Sequence, residues 1–517
     1  MISKLLNRYR AILVILVVIG LLAAFLPSKV HPQAAAVIFR GPLIPSNDLP
    51  GTYGKTISGL ECKPGIRQVT WSSYAPICQP AWSGNNGGST SPGVTSKTIT
   101  ITFRYAVPPQ VQELIGLIHG NSIVGTEQQA VSTMQDYINL FNKTFELYGR
   151  KVILKPFMGR GDFLSELSGQ GQAQAQSDAA VAKSLNAFAD VSLLFSTPPY
   201  DQALAQNHII AITGGLYQSA SWFNQYAPYV YSTSPDCNMV GNATAAIVKN
   251  AMANNDAIYS TNPAYQHHKR VFALIAPDNP MYQSCAKSAL SSLKQNNIQL
   301  ATTINYKFDL TGASGLSANT IAQLKSDGVT TVLCACDPIT PLFLTLDALQ
   351  LNYHPEWMTL DWGDQFGQLL PSTEMNNAIS GGQISVPRSK EEAYKALLLA
   401  HVPKSQINPL YSSIYAPLLL LFDALQEAGP DLNVYTFEKG FWSIPKSEGS
   451  MSGVWQTHQG SYVAQASYDI LYWDANVVSP LDDKKGTWLA CNNSTIYYYS
   501  NPSKGLVKGK QLQCGNR

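Results

Sequence analysis

The chain has 517 residues and a net charge of +2, and only 13 % of its residues are charged, where soluble domains carry about 25 %. Hydrophobic residues at 45 % and aromatics at 10 % exclude a disordered chain, and a single long apolar run excludes a polytopic membrane protein. The near-neutral balance offers no bulk basic field, so no nucleic-acid partner is expected.

The apolar run is AILVILVVIGLLAAFL, Ala11 to Leu26, preceded by Lys4, Arg8 and Arg10. Basic residues before an apolar stretch direct the rest of the chain out of the cytoplasm. At ~1.5 Å per residue the run is short of the ~30 Å bilayer core. Ala34 and Ala36 form an A-x-A cleavage pattern. Residues 1–36 therefore read as a signal peptide or an N-terminal membrane anchor. Residues 37–95, with SGNNGGSTSPG at 83–93, read as a flexible Pro/Gly/Ser-rich spacer.

Strict β-α alternation begins at Lys97. TITITFRYA alternates β-branched and apolar residues and predicts a strand. Gly125 to Phe145 follows as a helix, with Ala130, Met134, Tyr137, Ile138 and Phe141 at helical spacing. KVILKPF (151–157), the helix at 177–189, DVSLLFST (190–197), a short helix at 201–206 and IIAITGG (209–215) complete a first block. A second block runs through a helix at 240–254, RVFALIAPD (270–278), a helix at 281–295 and QLATTINYKF (299–308). It continues with a helix at 318–327, VTTVLCACD (329–337), a helix at 339–351 and WMTLDWGD (357–364). Gly382 to Val386 adds a strand, Leu410 to Glu427 a long helix, and 450–475 a hairpin.

Alternation of this kind is the signature of doubly wound parallel sheets. The fold class is α/β, two open-sheet lobes around a hinge and cleft. Lobe 1 is expected at 96–233 with a return at 381–445, and lobe 2 at 234–380 with a return at 446–517.

Eight cysteines fit an oxidising compartment. Sequence proximity suggests Cys62 with Cys78 and Cys491 with Cys514; Cys237 and Cys285 would join neighbouring helices. Cys334 and Cys336 remain, two apart on one strand face.

Ligands of open α/β sheets bind beyond the carboxyl ends of the strands. Those ends offer Ser196, Thr197, Thr213 and Gly214 in the first lobe. The second offers Asp278 with nearby Tyr282, then Asp337, Trp362 and Asp364. Hydroxyls and backbone N–H groups suit a carboxylate or amide, and carboxylates with aromatics suit an ammonium or a sugar ring. Each position is equally at home as a turn or cap residue. No G-x-S-x-G, H-E-x-x-H, P-loop or dinucleotide fingerprint is found, so no catalytic residue, cofactor or metal is expected. The tetrapeptide GRGD at 159–162 reads as a chance match to an adhesion motif.

PGVTSKTITIT leading to GRKVILKPF, with AAVAKSLNAFADVSLLFST and NHIIAITGG, resembles the first lobe of type I periplasmic binding proteins. RVFALIAPDNPMYQS, VTTVLCACDPITPLFLTLDALQLNY and GVWQTHQGSYVAQASYDILYWDAN resemble their second lobe and C-terminal hairpin. The nearest group is the branched-chain amino acid, or leucine-binding, family serving ABC transporters. The resemblance spans about residues 94–480. It implies a ligand carboxylate held at Ser196, Thr197, Thr213 and Gly214, and an ammonium held near Tyr282, Asp337 and Asp364. It implies hinge closure over a small polar molecule, an amino acid, amide or related compound, and an ABC permease as partner. A membrane-anchored extracellular sensor of the same fold is the alternative, and a secreted enzyme a weaker one. The loop VPPQVQELIGLIHGNS is longer and more apolar than the family's, and GGLYQS lacks its usual hydroxyl.

Overall fold

The computed structural model describes residues 52–106, 126–193, 196–214, 218–308, 313–337, 339–360, 364–408, 411–449 and 453–515. The signal or anchor segment, the loop VPPQVQELIGLIHGNS and Trp362 lie outside the described residues. Among those described, no helix is long and apolar enough to cross a membrane.

Lobe 1 is built on β1 (Thr98–Tyr105), whose Ile99, Ile101 and Phe103 are buried on one face. The helix α1 (Glu127–Thr144) starts at a capping box. The Thr126 hydroxyl accepts from Gln129 N at 3.1 Å, and the Gln129 side chain accepts from Thr126 N at 2.8 Å. Two of the helix's orphan donors are thereby satisfied. Its buried stripe is the predicted one, Ala130, Met134, Tyr137, Ile138 and Phe141. There follow β2 (Lys151–Met158), α2 (Phe163–Leu167), α3 (Gln172–Ser184) and β3 (Ala189–Leu193). Next come α4 (Pro198–Gln206), β4 (Ile210–Thr213), α5 (Ala220–Gln225) and β5 (Val230–Ser232). The sheet order is β2-β1-β3-β4-β5, all parallel.

Lobe 2 begins with α6 (Cys237–Ile247), which runs into a π-helical turn, Val248–Met252. Then come β6 (Phe272–Pro277), α7 (Pro280–Gln295), β7 (Leu300–Tyr306), α8 (Ala313–Ser326), β8 (Thr331–Cys334), α9 (Thr340–Gln350), β9 (Glu356–Leu360) and β10 (Ile379–Gly382).

The chain then returns to lobe 1 with α10 (Glu392–Leu399), α11 (Tyr411–Ala428) and α12 (Val434–Ser443). Residues 414–426 of α11 are all buried, as expected of a helix that is apolar around most of its circumference. Trp455, Tyr462, Val463 and Ala464 still belong to the lobe 1 core, and Val463 bridges Ser232 of β5.

The second sheet is rejoined by β11 (Ser467–Val478), β12 (Lys485–Ala490) and β13 (Ile496–Tyr498). Its order is β12-β11-β10-β9-β8-β6-β7, with β13 beside β11. The strands β6 to β10 are parallel and the last three are antiparallel. Two expectations shift here. The return to lobe 2 starts at Ser467 rather than at 446, and the hairpin is β11–β12 rather than 450–475. The alternation in GVWQTHQGSYVAQ reflects burial between lobe 1 elements, with a single antiparallel bridge from Trp455 to Gln465.

The spacer expectation is corrected over its described part. Residues 52–95 form a strap bound to lobe 1. Tyr74 is fully buried, its ring lies 4.6 Å from that of Trp455, and its hydroxyl donates to Gly453 O at 2.6 Å. Gln68 donates to Thr144 O at 2.7 Å, and Glu392 accepts from Ser73 N at 3.0 Å. Gly and Pro mark turns as well as linkers. The aromatic and amide side chains between them supply the burial and hydrogen bonds that flexible segments lack.

All four disulfides are formed: Cys62–Cys78, Cys237–Cys285, Cys334–Cys336 and Cys491–Cys514. Cys237–Cys285 joins α6 to α7, as anticipated.

Candidate functional site

The parallel part of each sheet reverses its strand order once, between β1 and β3 in lobe 1 and between β6 and β8 in lobe 2. Such switch points open a crevice at the strand ends, because the flanking helices lie on opposite faces. The candidate site is placed at these two switch points.

At the lobe 1 switch point a buried ionic network fills the end of the sheet. Arg104 and Thr102 share one face of β1, opposite the apolar face. The Arg104 guanidinium makes a bidentate pair with Glu166, at 2.7 and 2.9 Å, and a third contact to Asp178 at 3.2 Å. Its carbon sits 3.7 Å from the centre of the Tyr200 ring. Arg104, Glu166 and Asp178 have no exposed surface. Burial opposes the guanidinium charge, but the bond and charge of Glu166 outweigh it and raise the Arg104 pKa. Beside it, Asp190 accepts from Thr102 at 2.6 Å, from Tyr200 at 3.0 Å, and from Ser192. Ser192 in turn accepts from Arg104 N at 2.9 Å, joining β1 to β3.

The GRGD motif belongs to this network. Arg160 N and Gly161 N donate to Asp178 at 2.8 and 3.0 Å. A Cβ at Gly159 would lie 2.8 Å from Asp178, and one at Gly161 would collide with Glu166. The glycines allow the backbone to approach the buried carboxylates, and Asp162 caps α2.

Ser196 and Thr197 are part of the same wall. Ser196 donates to Asp201, and Thr197 donates to Glu166. Burial is the main cause that raises Asp201 to about 7, against the hydrogen bond from Ser196. Burial likewise raises Asp190. Thr197 is fully buried and caps α4, and its hydroxyl is donated inside the lobe. Thr213 ends β4. The Gly214 carbonyl accepts from Ser234 at 2.9 Å, and a Cβ there would meet Thr233 at 3.0 Å and Pro417 at 3.3 Å.

At the lobe 2 switch point, Asp337 is buried. It accepts from the Tyr306 hydroxyl at 2.7 Å and from Ile339 N and Thr340 N, each at 2.8 Å. Tyr282 stands in the first turn of α7, edge-on to Phe308 at 6.4 Å. Its hydroxyl oxygen is buried without a partner in the protein, and burial together with the Asp337 charge raises its pKa. Asp278 is exposed. Asp364 is buried and accepts from Ser479 at 2.6 Å, Thr487 at 2.7 Å and Trp488 N at 3.1 Å. Its carboxylate holds the C-terminal hairpin.

Asn279 links the two lobes. Its amide donates to Ser168 O of lobe 1 at 2.7 Å and accepts from Phe308 N of lobe 2 at 3.1 Å. It occupies the N-cap position of α7 without making the side-chain cap, although Asn is among the strongest capping residues.

The strand ends were legible, but Arg104, Glu166, Asp178, Asp190 and Asp201 were not singled out. A signal existed: Arg104 is the one charged residue in TITITFRY. Among the described residues no group of three or more His, Cys, Asp or Glu is arranged to hold a metal.

Two α/β lobes, each with one strand-order switch point and joined by the Asn279–Ser168 hydrogen bond, have the architecture of a two-lobed binding protein. The chain belongs to the periplasmic binding protein family, which matches residues 125–476. Members bind solutes outside the cytoplasm and are not enzymes, and this chain is a binding protein. No curated protein matches it.

Its fold is shared by many solved structures, including three binding proteins. The fatty acid ABC transporter substrate-binding protein of Thermomonospora curvata is 15 % identical, with a TM-score of 0.55 over 83 % of this chain and 100 % of that one. The leucine-, isoleucine-, valine-, threonine- and alanine-binding protein of Brucella ovis, in a closed conformation, is 12 % identical, with a TM-score of 0.53 over 81 % and 99 %. A solute-binding protein of an ABC transporter from R. palustris, in complex with 4-hydroxybenzoate, is 13 % identical, with a TM-score of 0.51 over 76 % and 95 %.

Proposed function

We propose that this protein is exported, captures a small polar solute between its lobes by hinge closure, and delivers it to an ABC permease. The strand-order switch point in each lobe, together with the Asn279–Ser168 hydrogen bond between the lobes, supports the reading. A ligand touching both walls favours the closed state by its differential affinity. The contacts we assign to it are Ser196, Thr213 and Gly214 on lobe 1 and Asp278, Tyr282 and Asp337 on lobe 2. The apolar run Ala11–Leu26 with its basic flank supports export. The shared fold of proteins described as binding a fatty acid, five amino acids and 4-hydroxybenzoate supports solute capture.

The test is mass spectrometry of small molecules released from the purified native protein, followed by calorimetry and small-angle scattering with the released compound. Stoichiometric binding with a smaller radius of gyration is expected. Absence of any released molecule, together with a flat response to amino acids, amides, short peptides and sugars, would overturn the reading. N-terminal sequencing of the protein from its host tests anchoring: a start near Val37 opposes an anchored sensor.

A further inference from the structure

One of the four disulfides stands apart. Cys62–Cys78, Cys237–Cys285 and Cys491–Cys514 span 16, 48 and 23 positions and tie separate segments together, whereas Cys334–Cys336 spans 2. A cross-link stabilises a fold largely by the loop it closes in the unfolded chain, so a bridge over a single intervening residue contributes least. Its place in the fold is specific. Cys334 is the last residue of β8, beside the lobe 2 switch point, and Cys336 directly precedes Asp337.

Residues two apart on an extended strand lie about 6.6 Å apart with their side chains on one face. That is too far for the ~3.8 Å between Cβ atoms that a disulfide needs. Here the Cα atoms are 5.0 Å apart, so the chain leaves its extended course at Ala335. The sheet records the departure. β8 pairs with β6 as far as Cys334 opposite Ile275, with one further bond from Ala335 N to Ile275 O at 3.0 Å. β6 continues through Ala276 and Pro277, paired there with β7. The curled chain brings Asp337 within reach of Tyr306, the last residue of β7. Asp337 N donates to the Tyr306 hydroxyl at 3.2 Å, and that hydroxyl donates to the Asp337 carboxylate at 2.7 Å. Because β6 lies between β8 and β7, this pair spans the switch point. The other carboxylate oxygen accepts from Ile339 N and Thr340 N and orders the start of α9. Both cysteines are buried in the apolar cluster that holds Ile275, Tyr306 and Leu344.

We propose that the Cys334–Cys336 bridge is a positioning element of the solute site: it turns the chain out of β8 and holds Asp337 against Tyr306 and the start of α9. The inference rests on the solute-binding reading above, in which Asp337 is a lobe 2 contact, and the bridge acts through Asp337. Without it the segment is free to extend along β8 by about 3.3 Å per residue, which would carry Asp337 off its partners Tyr306, Ile339 N and Thr340 N.

The experiment compares the full native chain with Cys334→Ala/Cys336→Ala and with Cys334→Ser/Cys336→Ser, by thermal unfolding and by amide exchange in deuterated water. In both double variants the Ile339 and Thr340 amides should exchange about tenfold faster, the effect of one lost hydrogen bond each. The other elements of lobe 2 should keep their native rates, and the thermal midpoint should fall by no more than about 3 °C. The small molecule that mass spectrometry identifies in the purified native protein, titrated by calorimetry, should bind the variants about tenfold more weakly. Asp337→Ala should weaken it similarly, and adding the cysteine pair to Asp337→Ala should change nothing further. Native exchange rates at Ile339 and Thr340 would overturn the positioning role. So would a large fall in midpoint with faster exchange throughout lobe 2, or failure of both double variants to fold, because the bridge would then be a staple of the fold. Faster local exchange with native affinity would overturn its part in the site, and additive losses with Asp337→Ala would overturn action through Asp337. Absence of any released molecule, with no binding of amino acids, amides, short peptides or sugars, would overturn solute capture; the exchange rates would still decide whether the bridge holds Asp337.

Discussion

Asp201 carries a stability term that depends on pH. Its carboxyl is 3 % exposed and burial raises it from 3.8 to about 7. In the unfolded chain it returns to the ordinary aspartate value. Between those two values the folded protein binds a proton that the unfolded chain has lost, so stability falls as pH rises through that window. The term is fully favourable below the unfolded value and is lost above the folded one. Each tenfold change in ionisation corresponds to about 1.4 kcal/mol, so the whole term is on the order of 4 kcal/mol. The charged groups facing Asp201 are Asp190, Glu166 and Arg104, and Ser196 donates to it.

Asp201→Asn keeps the shape and removes the ionisation. Urea unfolding of both proteins at pH 5 and pH 8 measures the effect. Between pH 5 and pH 8 the native protein should lose about 2–3 kcal/mol more than the variant, the part of the term that falls in that window. The variant should be the more stable of the two at pH 8. Parallel pH profiles for the two proteins would refute the argument, because the carboxyl would then titrate in the folded state as it does in water.

Glu166→Gln breaks the bidentate pair and leaves Arg104 buried beside Asp178 alone; a loss of about 3–5 kcal/mol is expected in urea unfolding. Replacing both Cys237 and Cys285 by Ala opens the link between residues 48 apart. By loop entropy this should cost about 4 kcal/mol under non-reducing conditions, with no such difference once the native protein is reduced. Asn279→Ala removes the bridge to Ser168, so the ligand-free protein should show a larger radius of gyration by small-angle scattering, and an unchanged radius would deny Asn279 a role in closure.

The local architecture was readable because its signals are short-range. Period-two alternation marked β1, and helical spacing named the buried face of α1 residue by residue. Cysteine proximity and helix starts anticipated three disulfides. The strand ends that meet at the switch points followed from β-α alternation alone. Composition misled at the strap, where Gly and Pro suggested a spacer. The burial of Tyr74 against Trp455 depends on a partner 381 positions away.

The sequence by itself determined two α/β blocks, their strand ends and a family resemblance that the match over residues 125–476 bears out. Only the tertiary structure decided which partners the strand-end groups take. Thr197 and Asp364 look like Ser196 and Asp278 in a linear reading, since all four are polar residues next to strands. Their difference lies in partners brought from elsewhere: Glu166 is 31 residues from Thr197, and Thr487 is 123 from Asp364. Periodicity reports which face a side chain takes, but a hydrogen bond is directional and short. Whether a hydroxyl proton is spent or available is set by the register and packing of distant elements.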